Sequence, residues 1–129
     1  MQILLADKQP KVRFGLRVLL ERQPGLQVVG EVTNAEELLD KMGKDCPELV
    51  LLGWGLPGLQ RANLLPTLRA VHPDLFVIAL SGRTEMRQVA LDAGADAFVC
   101  KCDPPERLLA AIQDCVTQKT LVTEKEVEQ

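Results

Sequence analysis

Leu49-Val50-Leu51-Leu52 is apolar at every position, and so is Ile3-Leu4-Leu5-Ala6. In an extended chain, alternate side chains point to opposite faces, so a run with no polar position must be covered on both sides. Leu75-Phe76-Val77-Ile78-Ala79-Leu80 and Ala97-Phe98-Val99-Cys100 repeat the pattern, and Leu26–Glu31 gives one further strand. Between these runs lie segments with helical spacing. Strands and helices in alternation imply a parallel sheet between two helical layers, and right-handed crossovers then favour a doubly wound α/β fold.

The helical segments carry their own start and stop signals. Pro10 suits the first turn of a helix, with Val12, Leu16, Leu19 and Leu20 on one face and Pro24-Gly25 beyond its end. Asn34 reads as an N-cap with Glu37 completing a capping box, and Gly43 as the C-terminal cap. Leu64, Leu65, Leu68 and Val71 mark a third helix, which tolerates Pro66 if it starts near Asn63. A short helix is expected over roughly Thr84–Leu91, before Gly94. The last helix is expected to open with Asp103 as N-cap and Pro104 at its first position, and to bury Leu108, Leu109, Ile112 and Val116. From Gln118 the chain turns polar. Residues 1–118 therefore read as one domain, and 119–129 as a polar tail or the start of a linker.

Composition narrows the function classes. A chain of 129 residues with 47% hydrophobic residues suits one globular core. The apolar runs are too short to cross a bilayer, and Met1–Asp7 lacks a basic secretory start, so a cytoplasmic protein is expected. A net charge of −3 argues against nucleic-acid binding by this domain. Cysteines at 46, 100, 102 and 115 show no zinc-ligand spacing, and His72, expected at the surface, has no cysteine near it in sequence. Reduced thiols are expected. Cys100 and Cys102 would point to opposite sides of an extended segment, which disfavours a disulfide between them.

In a doubly wound fold the functional crevice lies beyond the carboxyl ends of the strands. Asp7 and Lys8 follow the first strand, Gly53-Trp54-Gly55 the third, Ser81-Gly82 the fourth and Lys101 the fifth. These residues should converge on one mouth.

Several blocks at those ends carry a specific likeness. Leu4–Pro10, Val12–Leu16, Pro47–Leu52, Gly55–Gly58, Ala79–Gly82 and Ala93–Phe98 followed by Lys101 resemble, in order, a bacterial response-regulator receiver domain. The resemblance runs from about residue 2 to about residue 116 and is closest to receivers of helix-turn-helix transcription regulators. It implies a flavodoxin-like (βα)5 fold with strand order 2-1-3-4-5. It also implies a phosphorylation pocket. Asp7 matches the first of two adjacent acids, but Lys8 stands where the second, a magnesium ligand, should be. Gly53 occupies the phosphoacceptor position, and Gly55 the position whose carbonyl completes the metal site. Ser81 matches the hydroxyl residue of the switch, Phe98 its rotating aromatic, and Lys101 the lysine that pairs with the phosphoryl group.

The departures decide the expected chemistry. Attack on phosphorus needs a carboxylate oxygen, and glycine has none. Magnesium needs oxygen ligands. Asp7 against Lys8 and Lys101 leaves the pocket net +1, whereas three acids against one lysine are net negative. Two losses at one site point to abandoned chemistry rather than a sporadic change.

The expectation is therefore a degenerate receiver in two-component signal transduction: not an enzyme, without magnesium or another cofactor, and independent of phosphorylation. It would bind a protein partner or a second copy through strand five and the last two helices. A DNA-binding domain is expected only outside these residues. The alternative is an anion or small-molecule sensor in the same crevice, with Ser81 and the two lysines as recognition groups. Lys8 would either hold such an anion or pair with Asp7 or another acid. Asp7 also has a structural reading as a helix-entry cap, Phe98 as core packing, and Trp54 as a binding anchor or a shield over the mouth. A redox enzyme built on Cys100 and Cys102 has little behind it, since no Cys-x-x-Cys or Gly-rich phosphate loop follows a strand.

Overall fold

The computed structural model describes the backbone of residues 1–58 and 64–128, and side chains through residue 118. Five parallel strands lie in the order β2-β1-β3-β4-β5. They are β1 (Gln2–Ala6), β2 (Gln27–Val32), β3 (Leu49–Gly53), β4 (Phe76–Ser81) and β5 (Ala97–Cys100), connected through α1 (Pro10–Glu21), α2 (Ala35–Lys44), α3 (Leu64–Val71) and α4 (Met86–Asp92), with α5 (Pro105–Glu128) last.

The doubly apolar runs divide their side chains between two cores. Ile3, Leu5, Leu49, Leu51, Ile78 and Leu80 face Leu20 of α1 and Leu108, Ile112 and Cys115 of α5. Leu4, Ala6, Val50, Leu52, Val77 and Ala79 face Leu38 and Met42 of α2, Leu65 and Leu68 of α3, and Ala90 of α4. β3 is buried along its whole length. Each Leu or Ile wholly removed from water on these faces contributes about 1.5–3 kcal/mol of transfer free energy.

Register places the strand ends together. Ala6 lies beside Leu52, Gly53 beside Leu80, and Ser81 beside Cys100. The next residues of neighbouring strands therefore emerge along one edge.

Local signals held in part. Pro10 begins α1, with Gln9 as N-cap. Asn34 caps α2, its Oδ1 accepting from Glu37 N at 2.8 Å, while Glu37 Oε1 accepts from Thr33 N and its hydroxyl. Gly43 is not the cap of α2. The helix continues through Lys44 to a C-cap at Asp45, and Lys41 and Lys44 in its last turn suit the negative end of the helix dipole. Asp103 does not cap α5 either: its Oδ2 accepts from Cys100 N at 3.2 Å, and α5 begins at Pro105. α4 begins at Met86 rather than Thr84, after a turn closed by Arg87 N on Thr84 O. The helical assignment of α5 runs through residues 119–128, where the polar composition suggested a tail; no Gly or Pro interrupts that stretch. The start of the third helix near Asn63 lies outside the described residues. His72 is half-buried rather than a free surface residue, with Nε2 2.9 Å from Met42 O.

Candidate functional site

Asp7 leaves β1 as a buried acid, 2% exposed. Its backbone N donates to Val32 O at 3.1 Å, which extends the β1–β2 pairing by one residue and fixes where the side chain begins. Oδ1 accepts from Gln9 N at 2.8 Å. The N-cap of α1 is Gln9, so Asp7 closes the turn leading into the helix without being its cap. Its carbonyl accepts from Arg13 Nη1 at 2.7 Å, and Arg13 Nε is bonded in turn to Glu31.

Lys101 comes from the opposite side of the mouth. Its Nζ stands 2.7 Å from Asp7 Oδ2. The approach lies off the hydrogen-bonding direction, and Oδ2 has no hydrogen bond of ordinary angle. The contact is nevertheless an ion pair by distance, and the cation is the principal compensation for the buried oxygen. The same ammonium donates to Gln9 Oε1 at 3.2 Å, and the backbone N of Lys101 donates to Ser81 O at 2.8 Å.

Gly53 explains how Asp7 takes this position. A methyl group built on Gly53 would lie 2.8 Å from Asp7 Cγ, closer than carbon atoms can approach. The space in front of the third strand's end is therefore filled by the carboxylate of the first. The obstacle is the Asp7 side chain and not the backbone, since the positive-φ glycines are Gly25, Gly58 and Gly94.

The other candidate residues divide between mouth, rim and core. Ser81 is half-buried at the mouth, and its Oγ accepts from Arg83 N at 3.1 Å. Lys8 is exposed on the rim and makes no ion pair among the described residues. Its Cε would lie 3.8 Å from a methyl group at Gly55. The pairing with Asp7 that was open to Lys8 belongs to Lys101. Phe98 is buried in the core, 5% exposed, with the Arg87 guanidinium 5.0 Å from its ring centroid. Trp54 is half-buried against the same core, and its backbone N donates to Leu80 O at 2.7 Å.

Cys100 and Cys102 are joined by a disulfide, which corrects the expectation of free thiols there. Strand alternation does not apply because β5 ends at Cys100 and Lys101 and Cys102 form a turn. That turn brings the Cα atoms to 5.1 Å, within the range a disulfide spans. Cys46 and Cys115 are free, the first exposed and the second buried. Gln9 and Arg13 were not singled out as site residues from sequence. Their polar contacts to Asp7 and Lys101 depend on how α1 enters the crevice, for which composition and spacing hold no signal.

The response regulator receiver domain pattern matches residues 3–113. The chain belongs to that family. The nitrate/nitrite response regulator NarL of Escherichia coli K12 is 32% identical over 124 residues, 95% of this chain and 57% of NarL. This receiver chain thus spans about half the length of the curated relatives it matches. A LuxR-family two-component response regulator from Aurantimonas sp. SI85-9A1 superposes with a TM-score of 0.82 at 28% identity, covering 91% of this chain and 85% of that one. The isolated receiver domain of RcsB from Salmonella enterica serovar Typhimurium, solved with the phosphomimetic BeF3-, superposes with a TM-score of 0.76 at 26% identity, covering 88% of each. The fold is accordingly that of the receivers of LuxR-family two-component response regulators. No helix among the described residues is long and apolar enough to cross a membrane.

Proposed function

We propose that this receiver signals without phosphoryl transfer, as a non-enzymatic protein-interaction module in the cytoplasm. The observation that carries the reading is the Asp7 carboxylate, lodged in front of Gly53 and ion-paired with Lys101. No oxygen nucleophile extends from the end of β3, and the lysine that would meet a phosphoryl group already has a buried anion beside it. The donor set does not fit magnesium. Asp7 spends Oδ1 on Gln9 N and Oδ2 on Lys101, Lys8 is a cation, and Gly53 has no side chain.

On this reading the Asp7–Lys101 pair holds the switch region in one arrangement. Lys101 is tied to β4 through Ser81 O, and Phe98 stays in the core beneath Arg87. The face made by α4, β5 and α5 keeps one shape and binds a protein partner or a second copy constitutively. Val89 of α4, 50% exposed, is an apolar side chain open to a partner. An anion at the same mouth would have to displace Asp7 from Lys101, which weakens the sensor alternative.

Titration with magnesium and beryllofluoride, followed by Trp54 fluorescence and backbone amide spectra, tests this. The expected result is no saturable change at Asp7, Gly53 or Lys101. Saturable binding of either ligand at those residues would overturn the reading.

A further inference from the structure

The bond between Cys100 and Cys102 brackets the lysine of the crevice. A disulfide between residues two apart closes a very small loop. In the chain-entropy account, the stabilisation from a cross-link grows with the logarithm of loop length, so this one restrains little of the unfolded chain. What it restrains is the turn that carries Lys101.

The two sulfurs are unequally placed. Cys100 ends β5 and is 2% exposed, whereas Cys102 is exposed. The turn is otherwise held by Asp103, which donates its N to Cys100 O at 3.0 Å and accepts from Cys100 N through Oδ2 at 3.2 Å. Cys102 N also donates to Cys100 Sγ at 3.3 Å. A cavity of about 300 Å³, lined in part by Cys100, Lys101 and Asp103, opens beside the turn. Exposed disulfides are the labile ones, and of the two cysteines Cys102 is the exposed one that a thiol meets first.

We propose that Cys100–Cys102 is a reversible redox site whose co-reactants are dithiols and their disulfides, and whose state sets the position of Lys101 over Asp7. A thiolate of the reductant attacks Cys102 Sγ. The Cys100–Cys102 bond breaks, its electron pair stays on Cys100 Sγ, and that sulfur takes a proton. The second thiolate of the reductant then attacks its own sulfur in the mixed disulfide and releases Cys102, which is protonated. The reductant leaves as a disulfide, and the protein has gained two electrons and two protons. With the bracket open, Lys101 is held by its Ser81 backbone bond and the Asp103 turn alone, and its ammonium is less tightly set against Asp7 and Gln9.

The test uses the full chain in native buffer, equilibrated with mixtures of reduced and oxidised dithiothreitol. Alkylation and mass analysis after quenching in denaturant should show Cys100 and Cys102 becoming modified together as the mixture turns reducing, and protected together when it is reversed. Amide spectra of the two forms should differ at Asp7 and Gln9 as well as within the turn. Cys102→Ser, a change at an exposed position, should hold Asp7 and Gln9 at their reduced-form positions whatever the mixture. The proposal is overturned if both thiols alkylate equally in every mixture, if the bond resists reduction until the chain unfolds, or if the spectral change stays within residues 100–103.

Discussion

Gly53 and Asp7 are better treated as one pair sharing a space than as two separate residues. With no side chain at the end of β3, the carboxylate that follows β1 fills the space in front of Gly53, and Lys101 stands against it. Gly53→Ala should therefore destabilise the protein by roughly 1–3 kcal/mol, because the new methyl must displace Asp7 from its cation. Urea unfolding would measure this. In an Asp7→Ala background the same substitution should cost clearly less, because the clashing atoms are gone. Equal costs in both backgrounds would mean that the two side chains do not compete for the space. That Gly53 and Lys8 stand at these positions is read directly from the sequence. Which cation Asp7 chooses is not, because that depends on where the turn after β5 delivers Lys101. The cysteines failed for a related reason: alternation holds only while the strand lasts, and β5 stops at Cys100.

Among the elements, α2 shows how local chemistry sets a boundary. Asn34 and Glu37 satisfy the first turn together with Thr33. Asn34→Ala should cost about 1 kcal/mol in thermal or urea unfolding. Hydrogen bonds from the Thr33 hydroxyl and backbone hold the exposed Glu37 carboxyl below its ordinary 4.5. A depressed acid stabilises the fold in full above that value, and the contribution is lost as the pH falls through the lower folded-state pKa. Glu37→Gln should accordingly flatten the loss of stability on the acid side, by a small amount at so exposed a site. A steeper acid limb in the variant would reverse the assignment. The starts of α1 and α2 were readable because Pro10 and Asn34 act at fixed offsets, whereas α4 and α5 begin later than their signals suggested. Helix ends were less readable: Gly43 sits inside α2, and α5 continues past Gln118, since a glycine or a polar run permits a helix to stop without requiring it.

At the scale of the whole molecule, the fold was the most legible feature. Strands without a polar position admit few arrangements other than a sheet covered on both faces, and the two cores fill it from both sides. Cys115 of α5 reports on that packing. Burial first, then the nearby Asp96 and Asp114 carboxylates, pushes its thiol up to about 11. At neutral pH Cys46 should alkylate promptly, while Cys115 should react only as fast as the α5 core opens, with urea accelerating it. Prompt modification of Cys115 in the native protein would contradict its burial between α5 and the sheet. The property that matters most at this scale is whether the receiver accepts a phosphoryl group. Incubation with acetyl phosphate and magnesium, read by intact-protein mass, is the most direct measurement. The mass should stay unchanged, and a stable gain of one phosphoryl group on Asp7 or any other carboxylate of the crevice would contradict the account.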